Sequence, residues 1–397
     1  MDAQPSVGAP ALPARPPRTP DTAYWLDRAA AVLGAVDADR DKAEVNRASS
    51  PQVFAELSEA GLHRMWVSRA LGGGGATLSA GIAVIQLISR HDASVSWQVG
   101  VQGAIGRISD YLPEDAARTI FSTHDKLVVG SVHPTGTAER VAGGFRLSGR
   151  WGFASGSAGA AWIVSAARVT EGGAPTGEVR MLFTPIADVT MLDTWYTTGL
   201  AATGSHDYAI HDVFVPEDHT VDGADMTRPA APRASRGYGI GYYDFGPFTA
   251  AATVLGIADL ALDTFTELAA SKVPSEGKVT LKNSHTVQDR LARARASVRA
   301  AHTLVDDAAW HAEHHGDTGG DELSALVRLA CTFAAQSATE AVDAVYEMAG
   351  ATSTYRSHPL ERCFRDVHTA VKHITLAPAN YEMVGEYLLG GALRARR

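Results

Sequence analysis

The sequence has little cysteine and no excess of positive charge, and each shortage removes a class of protein. Its 397 residues contain two cysteines, Cys331 and Cys363, too few for a disulfide scaffold or a cysteine-rich metal site. Lys and Arg number 35 against 44 Asp and Glu, a net charge of -9, and no long basic block is present to follow a phosphate backbone. We therefore expect no nucleic-acid partner, and the two cysteines fit a reducing cytoplasm.

Long hydrophobic runs are also missing. No run approaches the roughly 18 uninterrupted apolar residues that a membrane-spanning helix needs. The start, Met1 to Pro20, is rich in Pro and Ala but has no basic segment followed by an apolar core, so we interpret it as a disordered tail and not as a secretory signal. The sequence predicts a soluble, cytoplasmic protein without a membrane partner.

The chain has three successive regions with different residue patterns. Apolar residues recur every three or four positions up to about residue 121, with helices predicted from Pro51 and over Leu78–Ser89 around a Gly72–Gly75 turn. Helical spacing returns at the end in four long segments, 248–271, 286–315, 321–349 and 358–389. The predicted divisions are a tail (1–20), an N-terminal helical domain (21–125), a central β domain (126–225), a loop (226–246) and a C-terminal helix bundle (247–397).

The middle of the chain consists of short apolar runs separated by Gly, Pro and Asp turns. Their spacing without intervening helical patterns favours an antiparallel barrel or sandwich over a Rossmann core. The runs are Leu127–Val129, Phe145–Leu147, Trp162–Val164, Met181–Phe183 and Val213–Val215. The fold class is therefore α+β, with helices, a β module and a helix bundle in that order.

Two kinds of chemistry have weak support. His311 and His315 have the i, i+4 spacing of a zinc pair, but no third ligand is evident, so an exposed helix end is the better interpretation. A Ser-His-Asp hydrolase would place its serine in a Gly-x-Ser-x-Gly turn, and none surrounds Ser131, Ser155 or Ser205. Thr203–His206 is better explained as a tight turn between strands.

Three separated motifs resemble those of a known family. They are Leu147-Ser-Gly-Arg-Trp-Gly-Phe-Ala-Ser-Gly156 followed by Trp162, Gly199–Asp207 leading to Val213-Phe-Val-Pro216, and Leu360–Thr369 with His373. In this order they resemble the acyl-CoA dehydrogenase fold, and within it the two-component monooxygenases that depend on reduced flavin. The resemblance implies an N-terminal helical domain, a central β-barrel and a C-terminal four-helix bundle, assembled as a homotetramer.

Two departures separate the chain from the true dehydrogenases of that fold. Those enzymes commonly carry a catalytic Glu in a Glu-Gly-Thr string, and the matching stretch here is His373-Ile-Thr-Leu376. Their Thr-Glu-Pro turn is replaced by Val132-His133-Pro134. The resemblance therefore implies an oxygenase component that takes reduced FMN or FAD from a separate NAD(P)H:flavin reductase. It would react the flavin with O2 and hydroxylate a small organic substrate through a C4a-hydroperoxyflavin.

The substrate stays open at this point. We expect an aromatic or phenolic compound, and the loop with Tyr238, Tyr242, Tyr243 and Phe245 is a candidate cover for its ring. N-oxygenation of an amine or amino sugar would leave the same motifs. An acyl-CoA dehydrogenase with bound FAD, and a non-catalytic helical assembly protein, are the alternatives from other classes.

Three residues are candidate catalytic groups. Ser155 matches the position at which the family contacts flavin N5, and its hydroxyl both donates and accepts. His373 is a candidate base, predicted to share one face of the last long helix with Asp366, Thr369 and Ala370. His91 resembles a residue that faces the substrate pocket in several members, although a helix-end histidine is commonly only a cap.

The remaining candidates would bind the cofactor. Trp97, Trp151 and Phe153 are possible walls for the flat flavin ring, with Ala154 and Ser155 in the same motif. The backbone of Ser131, Val132 and His133 resembles the segment that meets the flavin pyrimidine. Gly350 and Ala351 resemble the place where the distal part of the cofactor lies against a neighbouring subunit.

Overall fold

A computed structural model of the chain describes residues 21–121, 127–230, 240–275 and 277–393, with backbone only at 316–319. The predicted tail 1–20 and Tyr238 lie outside the described residues. The predicted domain divisions remain predictions, and the elements themselves have the following bounds.

Residues 21–121 form five α-helices. They are α1 (Thr22–Asn46), α2 (Pro51–Glu59), α3 (Leu78–Ser89), α4 (Ala93–Gly106) and α5 (Glu114–Phe121). Side-chain oxygens cap three of them: Ser50 accepts from Val53 N at 3.3 Å, Thr77 from Ala80 N at 3.2 Å and Asp92 from Val95 N at 3.0 Å. The helices predicted from Pro51 and over Leu78–Ser89 are confirmed.

The middle of the chain forms one seven-stranded sheet. Its strands are β1 (Leu127–Val141), β2 (Gly144–Ala154), β3 (Ala160–Glu171), β4 (Ala174–Pro185), β5 (Thr190–Leu192), β6 (His206–Pro216) and β7 (Thr220–Asp222). Their order is β5-β6-β2-β1-β3-β4-β7. All five apolar runs found in the sequence lie in strands.

The expectation of an antiparallel barrel needs correction. β1 and β3 pair in parallel, so the sheet is mixed. β1 and β2 form a hairpin, and the chain then crosses through a turn at Ser157–Gly159 to the free edge of β1. Among the described residues β5 and β7 are edge strands, and barrel closure is not confirmed.

The described residues after the sheet form five α-helices where four were predicted. They are α6 (Tyr242–Ser271), α7 (His285–His314), α8 (Gly316–Ala349), α9 (Pro359–Ala370) and α10 (Ala379–Leu388). The predicted helix 358–389 is interrupted between Ala370 and Ala379: the backbone is extended at His373, and Pro378 disfavours helical geometry at Ala377, whose φ is -64° and ψ 141°. His373 lies in this interruption.

The predicted loop 226–246 is also shorter than expected. Tyr242, Tyr243 and Phe245 belong to the first turns of α6 and do not cover a pocket as loop residues. Tyr242, Phe245 and Phe248 continue the apolar stripe of the helix and are buried, and the Phe245 ring meets Trp66 edge-on at 4.8 Å. Tertiary burial therefore starts the helix earlier than the Pro- and Gly-rich sequence suggests.

One helix among the described residues is long and apolar enough to cross a bilayer. It is α6, and 83% of its most apolar window is buried inside the protein. The same composition is required of a helix in the centre of a helical core, where α6 packs against α3, α4 and α8.

Candidate active site

A tight turn at residues 199–206, between β5 and β6, brings the sheet into contact with α9. A Cβ on Gly199 would lie 2.2 Å from the Arg365 carbonyl oxygen, so only glycine permits this approach to α9. The Leu200 amide donates to Asp366 Oδ1 at 2.7 Å, and Arg365 Nη1 donates to Thr198 O at 2.7 Å. Leu200 has a φ of 50°, a strained value that these contacts maintain. The predicted turn at Thr203–His206 is confirmed.

A chain of hydroxyl groups connects this turn to Ser155. Ser155 Oγ lies 2.7 Å from Ser205 Oγ, which lies 2.6 Å from Thr203 Oγ1. Thr203 Oγ1 donates to the Leu200 carbonyl at 2.9 Å. Ser155 is 4% exposed, and the other two hydroxyl residues are buried. The sequence pointed to Ser155 through a family motif, but it did not connect Ser155 to Ser205 and Thr203.

Phe153 presents an aromatic ring to solvent at the end of β2. It is 71% exposed, and its φ of 68° is unusual for a bulky residue. The pairing of β2 with β6 shifts register between Trp151 and Ala154. In a regular strand Trp151 and Phe153 would share a face, and the shift turns Phe153 outward. An apolar ring held outward at a strained position is suited to an apolar ligand.

Trp151 does not form a wall of the site, which corrects the prediction. Its side chain is 1% exposed, its Nε1 donates to Ala166 O at 2.7 Å, and its ring stacks on Tyr208 at 5.3 Å. An aromatic side chain that lines a flavin site must expose the face of its ring. A hydroxyl such as that of Ser155 needs only one accessible lone pair to accept a hydrogen bond. Ala154 is likewise buried and pairs with His206 of β6.

The Tyr208 hydroxyl supports the segment that begins at Ser131. It accepts from the Ser131 amide at 3.3 Å and donates to Val164 O at 3.1 Å. Burial raises the pKa of Tyr208, so the hydroxyl stays protonated and donates. The pairing of β1 with β3 is interrupted between Ser131 and Gly136, and the intervening backbone leaves the regular ladder. Val132 is half-buried and His133 exposed.

Trp97 and His373 meet edge-on, with ring centroids 5.4 Å apart. Trp97 is half-buried on α4, and His373 lies beyond the end of α9. The predicted placement of His373 on one helix face with Asp366 is therefore wrong. His373 is exposed, yet the surrounding protein desolvates its ring and lowers its pKa to about 4.

The hydrogen bonds of His373 define which of its nitrogens carries the proton. Nδ1 lies 2.8 Å from Thr375 Oγ1 and accepts from the Thr375 amide at 3.4 Å. Because Nδ1 accepts from this amide, the neutral ring carries its proton on Nε2. His373 therefore offers a donor at Nε2, where the sequence had suggested a base.

Two buried carboxyl groups lie where α4, α9 and the turn meet. Asp92 caps α4, and Asp366 accepts from Leu200. Burial, with the added repulsion of Asp92, raises the pKa of Asp366 to about 7, while Arg362 and Arg365 oppose the shift. Arg365 itself pairs with Glu361 at 2.7 Å and with Glu44 at 2.8 Å.

Gln98, which sequence reasoning missed, connects α4 to the turn. Its Nε2 donates to Ser49 Oγ at 2.9 Å, Ser94 O at 3.2 Å and Ala202 O at 3.3 Å. Its Oε1 has no partner among the described residues. Gln98 lines a cavity of about 220 Å³ together with Gly156 and Thr203. Nothing in the local pattern distinguishes this Gln from a surface one.

The other candidates lie in separate surroundings. His91 Nδ1 pairs with Asp37 Oδ2 of α1 at 3.0 Å, and no described contact joins it to Ser155 or His373. Gly350 and Ala351 are exposed after α8, and Gly350 has a φ of 56° with open space around it. The predicted roles of these three residues remain predictions.

The residues present fit a flavin ring. An exposed aromatic face at Phe153, a hydroxyl at Ser155 and a backbone segment at 131–133 that leaves the regular strand pairing are the groups that such a ring needs on one side. On the helical side, Trp97 and His373 supply a second aromatic surface and a hydrogen-bond donor.

The chain is similar to flavin-dependent oxygenases. Residues 248–378 match the family model "Acyl-CoA dehydrogenase, C-terminal domain". An indole-3-acetate monooxygenase of Pseudomonas putida is 28% identical over 89% of this chain and 92% of its own length. The FADH2-dependent resorcinol hydroxylase, oxygenase component, of a Rhizobium species is 28% identical over 95% of this chain and 96% of its own.

A solved structure supports the same assignment of fold. XiaF from a Streptomyces species, in complex with FADH2 and glycerol, superposes with a TM-score of 0.87 at 24% identity, covering 94% of this chain and 97% of its own. The acyl-CoA dehydrogenase-like fold predicted from the sequence is confirmed. The predicted resemblance to flavin-dependent monooxygenases is confirmed by these relatives.

Proposed function

We propose that this chain, a homologue of flavin-dependent monooxygenases with the acyl-CoA dehydrogenase fold, is the oxygenase component of a two-component system. It would receive reduced FMN or FAD from a separate NAD(P)H:flavin reductase, react it with O2 and hydroxylate a small aromatic or phenolic substrate. When bound, the reduced flavin supplies two electrons and the chemistry that activates oxygen. The protein supplies binding, orientation and the exclusion of water.

One observation carries the proposal. Phe153 holds an aromatic ring outward at a φ of 68°, two residues from the Ser155 hydroxyl, in a sheet whose other large rings are mostly buried. A flat, apolar ligand with a polar edge would cover Phe153 and meet Ser155. In this proposal Ser155 contacts flavin N5, and the backbone at 131–133 meets the pyrimidine ring.

His373 would act as a hydrogen-bond donor in the same site. Its Nδ1 is engaged with Thr375 and the edge of Trp97 limits the ring, so Nε2–H has a defined direction. A neutral donor near the reacting oxygen stabilises developing negative charge. The low pKa of His373 keeps the ring neutral above about pH 5.

The relatives support an aromatic substrate. Those described above are named for indole-3-acetate and for resorcinol. A small substituted ring is therefore the substrate class we propose for this chain. Oxygenation of an amine nitrogen is the variant that the same site would also permit.

The test uses the full-length chain without any reductase. The protein is mixed anaerobically with photoreduced FMN or FAD and then with oxygenated buffer, with and without a panel of phenols, indoles and amines. We expect the return of oxidised-flavin absorbance to be slower than for free flavin, and one oxygen atom of ¹⁸O2 to appear in a hydroxylated ring.

Three variants and two further readouts distinguish the proposal from its alternatives. Phe153→Ala and Ser155→Ala should lose flavin affinity, while Ser157→Ala, in the following turn, should keep it. Reoxidation at the free-flavin rate with every substrate would contradict the proposal. Reduction of bound FAD by an acyl-CoA without oxygen would favour a dehydrogenase instead, and label on nitrogen would favour the amine variant.

We also propose that the chain forms a homotetramer in the cytoplasm through a C-terminal four-helix bundle. Ile374, Leu388 and Leu389 are apolar and exposed in the single chain, which supports a covered face there. Closure of the sheet into a barrel belongs to the same proposal. Light scattering coupled to size exclusion would report the number of subunits directly.

A further inference from the structure

We propose that the hydroxyl chain Ser155–Ser205–Thr203 makes this site select reduced flavin over oxidised flavin. Ser205 and Thr203 are positioning residues that fix the direction in which Ser155 hydrogen-bonds. The inference rests on the proposed function, in which Ser155 contacts flavin N5. It assigns a role to two residues that do not themselves touch the cofactor.

At one end of the hydroxyl chain, the Leu200 carbonyl oxygen can only accept a hydrogen bond, and this fixes the direction of the bond from Thr203. The Leu200 carbonyl oxygen receives Thr203 Oγ1 at 2.9 Å, and also the Thr203 amide and Trp195 Nε1, each at 3.1 Å. A carbonyl oxygen has no proton to give, so the Thr203 hydroxyl proton points to Leu200. The donors from Thr203 N and Trp195 hold this oxygen in place.

The direction of the remaining bonds follows from one proton per hydroxyl. The only hydroxyl proton of Thr203 is used in the bond to Leu200. Thr203 Oγ1 therefore accepts from Ser205 Oγ, which lies 2.6 Å away. The hydroxyl proton of Ser205 is then used in the bond to Thr203, so Ser205 Oγ accepts from Ser155 Oγ at 2.7 Å. Ser155 Oγ is left with a lone pair for an incoming group and without a proton to offer it.

The two oxidation states of flavin differ at the atom that Ser155 is proposed to meet. In reduced flavin N5 carries hydrogen and donates, whereas in oxidised flavin N5 has a lone pair and accepts. An accepting Ser155 matches the reduced state. To bind oxidised N5, Ser155 must turn its proton to the flavin, and the chain loses one hydrogen bond. Either Ser155 no longer donates to Ser205, or all three hydroxyls reverse and the bond from Thr203 Oγ1 to Leu200 is lost.

Because the hydroxyl chain is buried, the loss of one of its hydrogen bonds has a free-energy cost. Ser155, Ser205 and Thr203 are all buried, so water does not compensate a lost partner as it does at the surface. A net difference of one hydrogen bond corresponds to a preference of about three- to tenfold. The turn that carries Thr203 and Ser205 is fixed on its other side by α9 through Leu200 and Asp366.

The experiment compares two dissociation constants for each variant of the full-length chain. Oxidised FMN and FAD are titrated in air, and photoreduced flavin is titrated anaerobically, with flavin fluorescence or absorbance as the readout. Ser205→Ala frees the Ser155 proton, so the ratio of oxidised to reduced dissociation constants should fall about three- to tenfold, mainly through tighter binding of oxidised flavin.

Matched variants separate direction from simple loss of structure. Thr203→Val should change the ratio in the same sense, while Thr203→Ser retains the hydroxyl and should restore the wild-type ratio. Ser157→Ala removes a hydroxyl that donates to Gly204 O at 3.1 Å in the same turn but does not join the chain, and should leave the ratio unchanged. Thermal unfolding of each variant checks that it is folded.

The outcomes are distinguishable. A Ser205→Ala ratio equal to that of the wild type, with both constants shifted equally or not at all, would overturn the inference and leave the proposed function standing. If the wild-type chain bound neither flavin, the proposed function would fall, and the inference with it. A changed ratio in Ser157→Ala of the same size would also overturn it.

Discussion

The two sides of the candidate site are built differently. On the sheet side, Ser155 is buried in a chain of hydroxyls, and Tyr208 supports Ser131 from beneath. On the helical side, His373 lies in an interruption between two helices, reached by solvent, with Thr375 as its polar partner. Many tertiary bonds hold the first side, and a short local structure holds the second.

This difference separates two tasks. Groups that meet a cofactor shared by many substrates benefit from a rigid, fully paired support. Groups near a variable substrate can lie on a short interrupted segment, which tolerates substitution with little loss of folding. We therefore expect substitutions on the sheet side to affect stability and flavin binding together, and those at His373 to affect chemistry alone.

The largest expected effect comes from the neighbouring rings of β2. Trp151→Ala removes a buried ring and its hydrogen bond to Ala166, and should lower the unfolding free energy by about 3–5 kcal/mol. Phe153→Ala removes an exposed ring and should change it by less than about 0.5 kcal/mol, while flavin affinity falls. Denaturant unfolding and flavin titration measure both. Equal destabilisation by the two variants would refute the assignment of inner and outer rings.

The next effect concerns the carboxyl beneath the turn. The pKa of Asp366 is raised to about 7, against about 4 in an unfolded chain, so between these pH values the folded state holds a proton that the unfolded state releases. The unfolding free energy therefore falls as pH rises from about 4 to about 7. Asp366→Asn keeps an acceptor for Leu200 and should remove a loss on the order of 2–4 kcal/mol.

Chemical unfolding at a series of pH values measures this slope. Asp289→Asn is a suitable control, since Asp289 pairs with Arg293 on the surface of α7 and should leave the slope nearly unchanged. If Asp366→Asn retained the wild-type decline between pH 4 and pH 7, another group would have to be responsible for it.

A smaller effect is expected at Tyr208. Tyr208→Phe removes the hydroxyl that accepts from Ser131 and donates to Val164, which should cost about 1–3 kcal/mol and weaken flavin binding. Hydrogen exchange of the Ser131 amide should become faster. Tyr111→Phe, which removes a surface bond to Arg228 O at 2.7 Å, is the control. An unchanged Ser131 amide would contradict the supporting role of Tyr208.

The smallest effect on folding is expected at His373. His373→Ala should change the unfolding free energy by less than about 0.5 kcal/mol but lower the hydroxylation rate about 10²-fold or more. Thr375→Val keeps the ring and releases Nδ1, and should give an intermediate rate. Single-turnover product yield with prebound reduced flavin measures this. A normal yield in His373→Ala would remove His373 from the catalytic group.

Local pattern was sufficient for much of the secondary structure. Caps such as Thr77 and the apolar spacing of 78–89 define α3 at both ends, and the apolar runs identify the strands. The local pattern did not predict the helix bounds where the burial of aromatic rings, or a proline later in the chain, influenced the backbone conformation. Tyr242 and Phe245 join α6 because their rings are buried, and Pro378 disfavours a continuous helix through Ala377.

The candidate site could be predicted only in part. The motif with Ser155 and the position of His373 were visible in the sequence through the family resemblance. Gln98 and Ser205 gave no local signal, because their importance depends on partners such as Ala202 O and Ser155, many residues away. Trp151 and Phe153 have the same chemical character, and a register shift alone assigns one to the core and the other to the surface.

The sequence by itself determined most of the helices and strands, their order, and the residue types that suit flavin chemistry. Those features depend on periodicity, capping and turn residues, which act over a few positions. Tertiary structure alone decided the approach of Gly199 to Arg365, the repulsion between the carboxyl groups of Asp92 and Asp366, and the direction of the hydroxyl chain. Each of these depends on distances between segments far apart in the chain, and burial gives those distances their energetic weight.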